Sequence, residues 1–141
     1  MDTRSLGIRL FEECCNQARL EILDELLHPN HLFHLADGSL KGIDAYRDLL
    51  DGYHKALEPT FTIGHVIAEN EFAAVHYEES GVFANDWITG DTVIKATGKK
   101  YATFGVELIR ATEGLIIEAR PGHDSLTHYT QIGLVEWKTD D

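Results

Sequence analysis

The spacing of apolar residues changes near position 60, and that change narrows the folds open to the chain. Before it, Leu6, Leu10, Phe11, Cys14, Cys15 and Ala18 recur at helical spacing, and Leu20, Leu23, Leu26 and Leu27 continue the pattern, as one face of a helix requires. Asn16-Gln17 is a candidate break between two helices, and Pro29 stops the run, because the residue before a proline is pushed out of helical backbone. After a short extended piece, "HLFHL", the segment "GIDAYRDLLDGYHKAL" puts Ile43, Tyr46, Leu50, Tyr53 and Leu57 three or four apart. Asp44 falls in its first turn, where the helix dipole favours a negative charge. Past position 60, "FTIGHVIA" and "FAAVHYEESGVF", joined by Glu69-Asn70, read as a hairpin. "YATFGVELIR" and "LIIEAR", joined by Thr112-Glu113-Gly114, read as a second one. The Gly-, Thr- and Asp-rich stretch 84–99 reads as a long loop, and a short helix runs from Asp124 to about Ile132. Helices first and antiparallel strands later predict an α+β fold, its helices segregated on one face of a curved sheet.

A chain of 141 residues is expected to form one domain over 1–141, large enough for a single core. Its 24 acidic and 12 basic residues give a formal net charge of -12. Such a surface repels phosphate backbones and anionic lipid, so neither nucleic acid nor membrane is an expected partner. The first residues lack the basic end and apolar run of a secretion signal. The two cysteines are neighbours, Cys14-Cys15, and an ordinary disulfide between neighbours is geometrically poor. They read as buried thiols of a cytoplasmic protein. Disorder is expected only in the tail 138–141.

Four groups of residues invite a chemical reading. His28, His31 and His34 stand three apart, but Pro29 disfavours a continuous helix there, and on an extended segment His31 and His34 diverge. No metal site is expected. On the strand 72–82, Ala73, Val75, Tyr77 and Glu79 share a face that begins apolar and so points inward. Glu79 then either meets solvent at the rim, the preferred reading, or lines a pocket. Glu118 and Arg120 share a face of "LIIEAR"; they pair on the solvent side or stand within a cavity as a desolvated pair. Both faces of that segment carry apolar residues, which suggests that the outer one is covered by another subunit. Asp124 admits two readings of opposite sign. As a helix N-cap it accepts hydrogen bonds from amides two or three residues on, and its pKa falls. As a proton carrier it would be enclosed by apolar groups, and its pKa would rise. Leu126, Tyr129 and Ile132 follow at helical spacing, which suffices for the first.

Several short motifs occur in a telling order. Gly42 opens a helix ("GIDAYRDLL"), a strand ends in Gly81 ("VHYEESGVF"), and the loop Ala96 to Lys100 ("ATGKK") precedes Gly105 to Arg110 ("GVELIR"). "EGLIIEA" follows, and Asp124 stands seven residues before Gln131 to Gly133 ("QIG"). Over about residues 5–135 this set resembles the SnoaL-like polyketide cyclase family, of the nuclear transport factor 2-like (cystatin-like) superfamily of α+β cones. The resemblance implies a cavity between N-terminal helices and a cone-shaped, curved antiparallel sheet, and a homodimer through the sheet's outer face. It implies Asp124 as general acid/base for an intramolecular aldol closure on a small carbonyl-containing, polyketide-like substrate, with no metal and no cofactor. His34, Tyr77, Glu79, Glu107 and Arg120 become candidate substrate-binding groups on the same ground. The chain departs from the pattern where family members often carry Trp and it carries Arg120, and the strand 101–110 has no histidine. Two alternatives keep the same cavity. One is a non-catalytic module in which Arg120 clamps an anionic ligand; the other is a ketosteroid-isomerase-like or dehydratase-like enzyme.

Overall fold

A computed structural model describes residues 1–140; Asp141, the last residue of the tail expected to be disordered, lies outside them. Helix α1 (Thr3–Arg9) starts where the Asp2 carboxylate accepts a hydrogen bond from the Ser5 amide at 2.8 Å. It runs into a widened, π-type turn, Leu10–Asn16. The wider turn faces Leu10, Phe11, Cys14 and Cys15 inward together, so both thiols are buried and free. Asn16 ends it, exchanging two side-chain hydrogen bonds of 2.6 Å with the backbone of Phe61. A short 3₁₀ turn, Leu20–Ile22, leads into α2 (Leu23–Leu26), so the division expected at Asn16-Gln17 is present.

The chain then enters β1 (Leu27–Leu35) and β2 (Gly38–Lys41), which form a hairpin. Pro29 therefore lies inside a strand, three residues after the last helical one. It is tolerated because the β1 ladder is interrupted between Leu27 and Leu32, where no amide is needed from it. Helix α3 (Ile43–Leu57) buries Tyr46, Ala56 and Leu57 and ends at Glu58 in left-handed backbone, before Pro59. The remaining strands are β3 (Thr60–Glu69), β4 (Phe72–Val82), β5 (Trp87–Thr89), β6 (Thr92–Ile94), β7 (Lys100–Thr112) and β8 (Leu115–His123). Helix α4 (Ser125–Gln131) follows.

Six strands form one sheet in the order β2-β1-β8-β7-β4-β3. Its pairs are antiparallel except β1 with β8, so the sheet is mixed where an all-antiparallel one was expected. Register shifts in β1/β8, β3/β4 and β7/β8 bend and twist it, and it stays open. The loop expected over 84–99 contains a second, two-stranded sheet, β5 with β6, anchored by buried Trp87. Helices cover the inner face, and the largest core cluster joins Leu6, Leu10, Leu23 and Leu26 to Ile109 and Ile116. Among the described residues no helix is long and apolar enough to cross a membrane.

Candidate active site

Strand β4 sends Ala73, Val75, Tyr77 and Glu79 inward, all buried, as its alternation requires. Beside it, β7 sends Tyr101, Thr103, Gly105, Glu107 and Ile109 to the same face. Two glycines make room for phenol rings there. A Cβ on Gly105 would lie 2.5 Å from the Tyr77 hydroxyl and 2.7 Å from the His123 Cβ, and one on Gly81 would lie 2.8 Å from the Tyr101 ring. The bare backbone at these two points lets Tyr77 and Tyr101 cross the sheet.

Between this face, the π-type turn and α3 lies a cavity of about 190 Å³. Its wall holds eight aromatic rings, the Cys15 thiol, the His123 imidazole and the carboxyls of Glu79 and Glu107. No Lys or Arg lines it among the described residues. A groove of about 320 Å³ over the outer face passes Thr60, Thr62, Glu78 and Phe104 and reaches Glu79; Glu78 is exposed.

Glu79 is 4% exposed, which corrects the rim reading: Tyr53 reaches down from α3 and closes that end of the strand. Its Oε2 accepts hydrogen bonds from the hydroxyls of Tyr53 and Tyr101, the second at 2.5 Å. Burial pushes its pKa up, against the two phenol bonds that lower it. The Tyr101 ring lies 4.2 Å from that of His128, whose ring nitrogens are buried and unpartnered. Desolvation holds His128 down at about 4.

Glu107 is 6% exposed and its Oε2 has no hydrogen-bond partner. Desolvation raises its pKa from 4.5 to about 7. Burial also holds the Tyr46 and Tyr77 phenols far above their ordinary value, and the Glu107 charge adds to this, so both stay protonated as donors. The same two causes hold the Cys15 thiol up, which keeps it a thiol and not a nucleophile.

Asp124 caps α4. Its Oδ1 accepts from the Thr127 amide at 3.1 Å and its Oδ2 from the Thr127 hydroxyl at 2.7 Å. These bonds lower its pKa, and its side chain is not part of the cavity wall. Arg120 is on the outer face with 60% of its side chain exposed, 3.7 Å from Glu118. His34 shares that face, its Nε2 2.9 Å from Glu118, which also accepts from Arg110. Of the two readings of Glu118 and Arg120, the pair on the solvent side is the one found. His31 points the other way, buried against Tyr46, so His31 and His34 diverge. Of the six residues singled out from the sequence, the fold brings Tyr77, Glu79 and Glu107 together; Asp124, Arg120 and His34 stand apart. Tyr53, Tyr101 and His128 were missed. Their one signal is a polar atom at positions whose spacing reads as core.

A model of the SnoaL-like domain matches residues 8–119. No curated protein matches the chain. Solved structures do. TsrD from Streptomyces laurentii is 20% identical, with a TM-score of 0.79 over 96% of this chain and 100% of its own. A candidate SnoaL-like polyketide cyclase from Jannaschia sp. CCS1 is 18% identical, with a TM-score of 0.81 over 94% and 92%. IdmH, a candidate polyketide cyclase from Streptomyces antibioticus, is 20% identical, with a TM-score of 0.72 over 93% and 99%. At such identities the likeness speaks for fold and not for activity.

Proposed function

The chain belongs to the SnoaL-like domain family, and from that premise we propose an acid/base enzyme of the cyclase or isomerase type whose proton carrier is Glu107. One observation carries this reading: an enclosed carboxyl with an unpartnered oxygen and a pKa raised to about 7. Such a group takes and returns a proton at neutral pH. Asp124, with its pKa lowered by its own helix, is the poorer base.

In the proposed reaction the Glu107 carboxylate removes a proton from the carbon next to a substrate carbonyl. The electron pair moves onto the carbonyl oxygen, where the hydroxyl of Tyr77 or Tyr46 donates a hydrogen bond. In a cyclase the resulting enolate carbon bonds to a second carbonyl of the same molecule, and the new alkoxide recovers the proton from Glu107. In an isomerase the proton returns to another carbon. Either way no proton or electron is consumed, and the protein supplies a base, a donor and orientation. A dry cavity of about 150 Å³ holds benzene, so 190 Å³ supports a substrate presenting one ring, or a chain of similar bulk, to the base.

The proposed partner on the sheet's outer face is a second copy of this chain. Exposed Phe72, Phe104, Val106 and Leu108 stand together there on neighbouring strands, an apolar surface that association would cover.

The proton chemistry is tested by proton NMR of cyclohexanone in deuterated water. Wild-type protein should speed loss of the α-proton signal, and Glu107→Gln should remove about 10²–10⁴-fold of that acceleration. Equal exchange by both proteins would rule out Glu107 as the carrier. A cavity that binds ketones and exchanges nothing would be a ligand-binding module instead.

A further inference from the structure

Glu79 and Glu107 are two enclosed carboxyls without a cation. No ion pair among the described residues includes either of them. Buried charges in folded proteins are paired, so this cavity lacks a positive group that its wall does not supply. The two acids differ in how far they need one. Glu107 has no donor on Oε2 and escapes the cost of charge by holding its proton. Glu79 receives two phenol hydrogen bonds on a single oxygen, which favour its charged form against the burial that opposes it.

The rings around Glu79 suit the same missing group. Tyr53 and Trp87 meet edge to face with centroids 5.5 Å apart, and Trp87 lies 6.4 Å from Tyr129. All three line the cavity. An ammonium ion within about 6 Å of such ring faces is attracted by their quadrupoles, most strongly where water is excluded. Glu79 pairs across the ladder with Thr103, four residues before Glu107, which separates the two acids by about 13 Å along the strand. The two acids therefore stand at different points of the wall, and a one-ring ligand seated at Glu79 leaves the Glu107 carboxyl free.

We infer that the cavity selects a ring-sized organic cation, its ammonium nitrogen seated at Glu79 among Tyr53, Trp87 and Tyr129. This rests on the proposed use of the cavity as a substrate site and adds the substrate's charge. Carboxylate-bearing compounds are excluded, since no cation in the wall receives them and the chain carries a net charge of -12.

Benzylamine, benzyl alcohol and benzoate share one ring and one arm and differ in charge. Calorimetric titration of each into the intact protein, in high salt to screen surface attraction, reads the preference directly. Benzylamine should bind about tenfold tighter than benzyl alcohol, and benzoate should not bind. Glu79→Gln should bring amine and alcohol to equal affinity while alcohol binding persists, which also reports an intact cavity. Equal affinities in the wild type, a preference that survives Glu79→Gln, or benzoate as the tightest ligand would each overturn the inference and leave the cavity a ligand site. Binding of none of the three would overturn it together with the cavity reading.

Discussion

Inside the curve of the sheet, β7 shows Tyr101, Thr103, Gly105 and Glu107; outside it shows Phe104, Val106 and Leu108. The two faces have exchanged their usual residues. The enclosed side holds hydroxyls, a bare backbone and a carboxyl, while the exposed side holds large apolar groups. A sheet that only filled a core would put Phe104 and Val106 inside. The enclosed side is polar because it walls a cavity, and the exposed side is apolar because, on the proposed reading, it meets another copy of the chain. Each face should therefore respond differently to an added or removed charge.

The inner face should give the largest effect. The unfolded chain releases the Glu107 proton near the ordinary 4.5 and the folded chain near 7. Between those values the native state binds more protons, so stability falls as pH rises and levels off above the folded pKa. The change is on the order of 3 kcal/mol for a shift of that size. His31 and His128, each lowered to about 4, act in the opposite sense. Their protons stay on the unfolded state up to its ordinary 6.5, so their contribution grows as pH rises through that range. Urea unfolding at a series of pH values separates these effects. The stability of Glu107→Gln relative to wild type should climb from pH 4.5 to 7 and then stay flat. A constant difference would mean that water reaches the carboxyl, and the contrast between the faces would fail at its polar side.

The inversion also explains what the sequence could reveal. In β4 the inward set opens with Ala73 and Val75, so its alternation sends Tyr77 and Glu79 inside. In β7 the same rule, applied to Phe104, Val106 and Leu108, turns the strand inside out and sends Glu107 to solvent. Only the ordered motifs of a related family brought Glu107 into the candidate set. Enclosure of Glu79 depends on Tyr53, 26 residues earlier on another element, and no local pattern carries that contact. The β5/β6 hairpin was hidden for a similar reason. Its strands have three residues each, and one of them sits so close to α3 that a Cβ on Gly52 would lie 2.9 Å from the Ile88 carbonyl oxygen. By contrast, α3 was legible nearly residue for residue, because its apolar stripe and its opening at Gly42 are local.

A change on the outer face should have the next largest effect. Val106 is 43% exposed, mid-strand among the apolar residues proposed to meet the second copy. Val106→Lys would place a charge without a partner at the centre of that contact. Sedimentation of the wild type should give a dimer, and the variant should dissociate at least about tenfold more readily with ketone exchange by each folded chain retained. A wild type that sediments as a monomer at every concentration would remove the proposed reason for the exposed apolar face.

The smallest effect belongs to Asp124, the carboxylate that lies near the cavity without lining it. Its bonds to Thr127 are those of a cap, and an asparagine keeps the amide bond through Oδ1 and donates from Nδ2 to the Thr127 hydroxyl, so it caps almost as well. Asp124→Asn should therefore leave both the melting temperature and ketone exchange close to wild type. Asp124→Ala removes the acceptor and should lower the melting temperature by a few degrees, still with exchange retained. The cap also fixes how the unfolding curves respond to acid. The folded pKa of Asp124 lies below its ordinary 3.8, so its contribution is present above that value and disappears only as pH falls through the folded one. Between pH 4.5 and 7, where Glu107 tilts the curve, neither Asp124 variant should change its slope. If Asp124→Asn abolished exchange while the protein melted normally, the working proton would belong to the helix cap, and the enclosed carboxyl of β7 would need another role.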